Sequence, residues 1–299
     1  MPDGSSLWVL FTVIAAACQT VRNATQRELT GKLGTVGATH VRFLFGFPFV
    51  LVFLAGVSMA TGAALPRPGA GFWPWVLDGA LAQILATALM LAAMGERSFA
   101  VVIAYTKTEP IHVALFGLVF LGDALTLSTA AAVLIATAGV MVMSWKSDAA
   151  PAGGWRPVVL GIVSGAMFAL SAVGYRGAIL SLGEPSFIMG ATFTLAVAIV
   201  IQTILLLVYL AVRDRTVLQA IARAWRPSLF AGCMGATASE FWFLAFALTS
   251  AANVRTLGLV EVLFAQIVAV AVFKQATSAR EGLGITLVIA GVALLLWAH

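Results

Sequence analysis

The most informative shortage in this 299-residue chain is of charge, because only 10% of its residues are Asp, Glu, Lys or Arg. Soluble domains have about 25% charged and about 45–50% apolar residues, whereas 61% of this chain is hydrophobic. A water-soluble globule of this size could not cover its surface with so few ionisable side chains. The composition therefore excludes a soluble enzyme, a nucleic-acid-binding protein and a disordered chain, and it predicts a polytopic helical membrane protein.

Cysteine is also scarce, since only Cys18 and Cys233 are present and both lie within apolar runs. Two such residues are too few for a disulfide framework or a metal site, so we predict neither. The chain has no phosphate-binding loop and no His-Glu-x-x-His motif, which excludes an ATP-driven pump for this chain by itself. We therefore predict no enzyme activity and no cofactor. The net charge of +5 is typical of basic cytoplasmic loops and does not predict a nucleic-acid partner.

Long polar connections are lacking as well. A membrane span needs about 20 mostly apolar residues, and ten segments satisfy this requirement. The predicted spans are 7–27, 35–57, 72–94, 98–121, 126–145, 157–179, 186–211, 228–248, 252–273 and 280–298. No connection exceeds about 20 residues, which leaves no room for a soluble catalytic domain. Backbone groups in lipid must be paired internally, so we predict that these spans are helices.

The two halves of the sequence resemble each other weakly. A shift of 152 residues aligns Ala138–Val140 with Ala290–Val292 and Glu109 with Glu261. We therefore predict two five-span repeats, residues 1–150 and 151–299. Because five is an odd number, the second repeat would enter the membrane from the opposite side. Inverted repeats of this kind are the architecture of many secondary transporters.

Several motifs have the positions expected of a known family. The fourth span carries Lys107-Thr108-Glu109-Pro110 and ends in Phe120-Leu121-Gly122-Asp123, and the ninth carries Glu261-Val262-Leu263-Phe264. Over nearly its whole length, the chain resembles the EamA type of the drug/metabolite transporter superfamily. The resemblance implies a protein of the bacterial inner membrane that exports amino acids or related metabolites by alternating access, using a gradient or proton exchange. The second-half counterpart of the acidic span end is Lys274-Gln275, which departs from the family pattern.

Polar residues inside the spans are few, and such residues usually face a cavity or a protein partner because charge in a bilayer is costly. The first span carries Gln19, Arg22, Asn23 and Gln26, which share one helical face. This stripe indicates either a helix–helix contact or a cavity wall. Gln83, four residues before Thr87 in the third span, is a further candidate.

The fourth span is the most informative segment, because Lys107, Glu109 and His112 lie within six residues of one another around Pro110. Lys107 and Glu109 point in nearly opposite directions on a helix, so they are poor partners for each other. Pro110 removes a backbone donor and frees a carbonyl near Thr106. Interrupted helices near the midplane form the binding sites of many transporters. The alternative is a proline kink whose charged residues pair with other helices.

The second half offers Glu240 and Trp242 in the eighth span, and Arg255 and Glu261 in the ninth. Arg255 and Glu261 are too far apart along the helix to pair, so we expect Arg255 to pair with either Glu109 or Glu240 of another span. The three glutamates are candidate proton carriers, with the proton as a candidate coupling ion. Trp242 is a candidate wall of an amphipathic substrate site.

Two expectations concern the membrane interface. Arg42, near the start of the second span, is expected to extend its side chain towards the headgroups. Tryptophans near span ends are expected to form an aromatic belt, and these are Trp8, Trp73, Trp75, Trp145, Trp155, Trp225 and Trp297. Most Lys and Arg residues lie in odd-numbered connections, which predicts that both termini are outside the cytoplasm, whereas the family resemblance implies the reverse.

The sequence therefore favours a secondary transporter of a small polar or amphipathic metabolite in the lipid bilayer. A zwitterion would find anions in Glu109 and Glu261 and cations in Lys107 and Arg22. One alternative is an exchanger of anionic or nucleotide-like metabolites, recognised by Arg42, Lys107 and Arg255. Another is a membrane scaffold or complex subunit that transports nothing.

Overall fold

The computed structural model describes residues 4–96, 99–144, 155–184, 186–271 and 278–298. These residues form helices and connections, with no strand among them. The helices are α1 (Gly4–Leu44), α2 (Phe47–Thr61), α3 (Phe72–Glu96), α4 (Phe99–Thr106), α5 (Glu109–Phe116), a π-helical segment (Gly117–Leu121), α6 (Leu127–Ser144), α7 (Arg156–Ser181), α8 (Phe187–Arg213), α9 (Arg215–Arg223), α10 (Trp225–Leu248), α11 (Ala251–Leu257), α12 (Val260–Ala271) and α13 (Ala279–Trp297). The predicted all-α fold is confirmed.

The first two helices form an apolar stretch that is long enough to cross a membrane twice. Residues Ser6–Thr61 comprise 56 residues, which is about 84 Å of helix against a hydrocarbon core of about 30 Å. Gly34 interrupts α1 with a φ of 66°, a left-handed conformation that glycine adopts without strain. This break separates the first predicted span from the second.

The number of membrane crossings stays a prediction. In the part of the chain that the structure describes, six stretches are long and apolar enough to cross a membrane by themselves. The fourth and ninth predicted spans are each divided into shorter helices, and α6 is also short. The predicted repeat boundary at residue 150, together with Trp145 and Lys274-Gln275, lies outside the described residues.

The outward faces of the helices are apolar, as a lipid-facing surface requires. On α8, the large hydrophobic side chains of Ile204, Val208 and Val212 are exposed, whereas the polar side chains of Thr192 and Gln202 are buried. This distribution reverses that of a water-soluble protein. It is favourable when hydrocarbon surrounds the bundle, because polar groups then need partners inside the protein.

The three most extensive helix contacts are those of α1 with α10, α3 with α7, and α6 with α13. The shift that aligns the predicted repeats places α1 on α7, α3 on α10 and α6 on α13. Under this shift, the contact of α1 with α10 corresponds to the contact of α7 with α3. The contact of α6 with α13 corresponds to itself. This is the pattern expected of the two predicted repeats when a two-fold axis relates them.

Glycines allow α6 and α13 to approach closely. A Cβ atom on Gly139 would lie 2.7 Å from the carbonyl oxygen of Gly284, and one on Gly291 would lie 2.6 Å from the backbone nitrogen of Ala136. Small residues are typical of helix contacts in membranes, because they let the backbones gain van der Waals contact. A Cβ atom on Gly282, which is also on α13, would meet no atom within 4 Å.

We predict that Gly291→Ala forces α13 away from α6 and lowers the free energy of unfolding by about 1–3 kcal/mol, as overpacking does in tight cores. Gly282→Ala is the matched control, and the higher helix propensity of alanine is expected to leave its stability unchanged or raise it by up to about 1 kcal/mol. Thermal unfolding of both variants in one detergent tests this. Equal unfolding temperatures would contradict the close contact of α6 with α13.

The aromatic-belt prediction is wrong for Trp8. Its side chain is 2% exposed and lies in the main hydrophobic core. Trp73, Trp155, Trp225 and Trp297 are exposed, as the prediction requires. Trp8 differs because its side chain lies on the face of α1 that packs into this core.

Candidate functional site

The fourth predicted span is interrupted near its centre. α4 ends at Thr106 and α5 begins at Glu109, so that Lys107 and Thr108 lie in the interruption. Pro110 stands in the first turn of α5, where its missing N–H has no intrahelical partner to lose. The interruption predicted from Pro110 is therefore present.

A matching interruption divides the ninth predicted span, although no proline is present there. α11 ends at Leu257 and α12 begins at Val260, with Gly258 and Leu259 between them. The 152-residue shift places Lys107 on Leu259. The two interruptions therefore occupy equivalent positions in the two predicted repeats, and the sequence indicated only the first of them.

Two ion pairs connect the interrupted helices. Lys107 Nζ lies 2.6 Å from Glu261 Oε2, and Arg255 Nε lies 2.9 Å from Glu109 Oε1. All four side chains are less than 10% exposed. The glutamate of each interrupted helix is thus paired with a basic residue of the other. Of the two partners that the sequence left open for Arg255, the structure selects Glu109.

Glu261 is held by three donors. Besides Lys107, its carboxylate accepts a hydrogen bond from Gln19 at 3.1 Å and from Asn23 at 3.4 Å. Gln19 in turn accepts a hydrogen bond from the indole nitrogen of Trp242 at 3.0 Å. Because an unpaired carboxylate is costly to bury, these donors stabilise Glu261 inside the bundle.

Arg255 is held by aromatic rings as well as by Glu109. Its guanidinium carbon lies 4.4 Å from the centre of the Trp242 ring and 5.3 Å from that of Phe246. A desolvated cation over an aromatic face gains about 2 kcal/mol or more. Trp242 therefore contacts both ion pairs, Arg255 through its ring and Glu261 through Gln19.

The polar stripe of α1 divides between two roles. Arg22 is 1% exposed and donates to the Asn23 side-chain oxygen from Nε at 3.2 Å and from Nη2 at 2.6 Å. Gln26 instead donates to the carbonyl oxygen of Ala38 at 2.9 Å, across the interruption at Gly34. Arg22 and Asn23 therefore lie beside the two ion pairs, whereas Gln26 joins the two parts of α1.

A pocket lies between α1 and the two interrupted helices. Its cavity volume is about 20 Å³, which is room for about one water molecule. Its lining residues are Gln19, Arg22, Asn23, Met90, Ile103, Thr106, Lys107, Glu109, Phe168 and Arg255. Trp242 lines a smaller adjoining pocket with Lys107, Glu109 and Arg255. Most of the residues singled out in the sequence therefore meet at one place.

Arg42 does not extend to the membrane interface, and that prediction is wrong. It is 4% exposed and donates to the hydroxyl groups of Thr87 and Ser239, each at 3.3 Å. When the Gln83 amide is oriented with its oxygen towards Arg42, it accepts from both guanidinium nitrogens at 2.8 and 2.9 Å and donates to Ser171. Arg42 is buried because the part of α1 beyond Gly34 packs between α3 and α10.

His112 and Glu240 do not line the central pocket. His112 Nδ1 lies 3.0 Å from the carbonyl oxygen of Thr108, and its ring packs against Phe116. Glu240 is buried and accepts a hydrogen bond from the hydroxyl group of Thr192 on α8. Six of the predicted site residues therefore line the two adjoining pockets, and Glu261 is bonded to Asn23 and Lys107 of that lining. Gln26, Gln83, His112 and Glu240 are not part of the lining.

The model of the EamA-like transporter family matches residues 6–145 and again residues 155–297. The chain belongs to this family. One solved crystal structure superposes on this EamA-like transporter with a TM-score of 0.67 and 18% identity, covering 98% of this chain and 96% of that one. At that identity the likeness concerns the fold alone. No curated protein matches the sequence.

Members of the EamA-like family are membrane transporters of small metabolites, not enzymes. This family assignment agrees with the predicted class of protein, its lipid surroundings and its small-molecule substrate. Gln19 is a pocket residue that sequence reasoning noted in the stripe of α1 but did not select. Its position three residues before Arg22 on one helical face was the available signal. Met90 and Phe168 also line the pocket and carry no signal in the sequence.

Proposed function

We propose that this EamA-like protein is a secondary transporter that exports a small polar or amphipathic metabolite, such as an amino acid, by alternating access. Its proposed location is the bacterial inner membrane. The proposed substrate site is the central pocket, with Glu109, Lys107, Glu261, Arg255, Trp242, Arg22 and Asn23 as the residues that bind substrate or couple its movement.

The observation that carries this proposal is that the glutamate of each interrupted helix is paired with a basic residue of the other. Each helix has a short interruption and buried charges beside it, and each charge is held by the other helix. A substrate with charged groups can compete for these partners. Such competition links binding to the separation of the two helices, which alternating access requires.

A second cluster supports closure at one end of the bundle. Arg176 on α7 donates to the carbonyl oxygens of Phe246 and Thr249 at the end of α10, and its Nε lies 3.5 Å from Asp123 Oδ2. Asp123 follows the π-helical segment that ends the fourth predicted span. Three elements are therefore joined at this end, and a path from the pocket past them needs Arg176 to release its partners.

Proton coupling is part of the proposal. Glu109 and Glu261 are each paired with a basic residue of the other interrupted helix. Glu240 has a carboxylate oxygen without a hydrogen-bond partner among the described residues. A carboxyl group that loses its cationic partner in a dry site binds a proton more readily. Substrate binding at either ion pair could therefore be linked to proton uptake.

Flux in proteoliposomes tests the proposed function. The purified protein is reconstituted into vesicles preloaded with a mixture of labelled amino acids, with and without an imposed pH gradient. We expect release that follows the gradient and that Glu109→Gln abolishes. Release without gradient dependence would remove proton coupling while leaving transport. No release of any amino acid would contradict the proposed substrate class, and the scaffold alternative predicts that no metabolite moves.

A further inference from the structure

The centre of the bundle holds more basic than acidic groups. Its buried basic side chains are Arg22, Arg42, Lys107 and Arg255, and its buried acidic side chains are Glu109, Glu240 and Glu261. Lys107 and Arg255 are each paired with a glutamate. Even if Glu240 is ionised, one positive charge remains without a compensating acid in this set.

Arg22 carries this surplus at the pocket. Its guanidinium donates only to the neutral amide of Asn23 among the described residues, and its Nη1 atom is buried without a hydrogen-bond partner there. The charged groups that face it are Glu261, which it reaches through Asn23, Arg255, which lines the same pocket, and Arg42. A guanidinium group that is 1% exposed ordinarily has a carboxylate or phosphate partner.

Arg42 lies beside Arg22 and does not neutralise it. Both side chains pack against Gly235 of α10, where a Cβ atom would lie 3.2 Å from Arg22 Cδ and 3.4 Å from Arg42 Cγ. The hydrogen-bond acceptors of Arg42 are the neutral groups of Thr87, Ser239 and Gln83. Two guanidinium groups therefore share one buried region without a paired carboxylate between them.

We propose that Arg22 forms an anion subsite, which binds a carboxylate or phosphate group of the transported substrate in the central pocket. The inference rests on the proposed transport function and names the substrate class. The anion would accept from Arg22 Nη1 and lie near Asn23, Lys107 and Thr106 on the pocket wall. In a site of low dielectric constant, the surplus charge attracts an anion more strongly than it would in water.

A purely cationic substrate fits this pocket poorly. It would have to displace Lys107 from Glu261 or Arg255 from Glu109, and the displaced residue would add to the unpaired charge at Arg22. An anionic group meets no such obstacle. A zwitterion can use both features, with its anionic group at Arg22 and its ammonium group beside a glutamate.

Pairs of compounds that differ in one anionic group test the subsite on the wild-type protein. The carboxylate arm compares L-leucine with L-leucinamide, and L-glutamate with its α-amide, L-isoglutamine. The phosphate arm compares glycerol 3-phosphate with glycerol. We measure the efflux of each labelled compound from proteoliposomes. We expect at least one arm to show a preference of tenfold or more for the anionic member, and the arm that does so identifies the anion.

Variants then test whether Arg22 is responsible for the preference for the anionic compound. Arg22→Gln is expected to reduce it to less than twofold, whereas Arg22→Lys, which keeps the charge, is expected to retain part of it. Arg215→Gln removes a charge at an exposed position and serves as the control. If Arg22→Gln does not fold, the wild-type comparison and Arg22→Lys still decide the question.

The outcomes separate this inference from the proposed function. Efflux without preference for the anionic member in either arm overturns the anion subsite and leaves transport standing. A preference that Arg22→Gln retains in full also overturns the assignment to Arg22. If no compound in either arm moves, the proposed transport of small metabolites fails and the subsite fails with it.

Discussion

Glu261→Gln is expected to reduce the rate of transport about hundredfold or more. Loss of this carboxylate leaves Lys107 as an uncompensated charge in the core, and breaking a buried ion pair in this way costs about 3–5 kcal/mol of stability. The variant keeps the shape of the side chain but removes the charge that Lys107, Gln19 and Asn23 all face. Initial rates of efflux from proteoliposomes provide the measurement.

Glu28→Gln is the control for this prediction, since Glu28 lies on α1 as well but is exposed. We expect its transport rate to stay within about twofold of the wild type, as is usual for surface substitutions. Thermal unfolding in detergent shows whether Glu261→Gln still folds. A folded Glu261→Gln protein with wild-type efflux would contradict the assigned importance of this ion pair.

Arg255→Leu is expected to lower the free energy of unfolding by about 3–5 kcal/mol, the usual effect of removing one partner of a buried ion pair. Two losses combine, since Glu109 is left without its cation and Trp242 loses the guanidinium group over its ring. Arg255→Lys keeps the charge but cannot reproduce the planar stacking, so an intermediate stability is expected.

Thermal unfolding of the two Arg255 variants, with Arg215→Leu as the exposed control, tests this second prediction. The expected order of unfolding temperatures is wild type and control together, then Arg255→Lys, then Arg255→Leu. If Arg255→Leu is as stable as the control, the pairing with Glu109 contributes nothing and the site must be described without it.

The fold class could be predicted from the sequence because the bilayer imposes strong composition rules. Few charges, long apolar segments and short connections leave few alternatives to a helical bundle. The positions of Lys107, Glu109 and Glu261 were also informative, because an ionisable residue in an apolar segment is too costly to be accidental.

The partners of these residues could not be predicted, because they depend on which helices meet. Sequence distance excluded pairing of Arg255 with Glu261 but left two acids as candidates. The interruption at Gly258 carried no proline signal, so its equivalence with the one at Lys107 became visible only in the structure. The prediction that Arg42 extends to the membrane interface was wrong, because its position in the bundle depends on how α1 continues beyond Gly34.

The ion pairs between the interrupted helices suggest why this arrangement suits a transporter. Each pair joins the two predicted repeats, so separation of the repeats at the pocket must break at least one of them. A charged substrate can replace a lost partner and so lower the cost of that movement.

A double-mutant cycle on transport tests the central claim most directly, because it asks whether Lys107 and Glu261 act as one unit. Efflux is measured for Lys107→Met, Glu261→Gln and the double variant, each compared with the wild type. We expect both single variants to lose about hundredfold in rate, and the double variant to lose no more than either of them, as is found for residues that act together. Losses that multiply in the double variant, or single variants that transport normally, would contradict a transport site built on this pair.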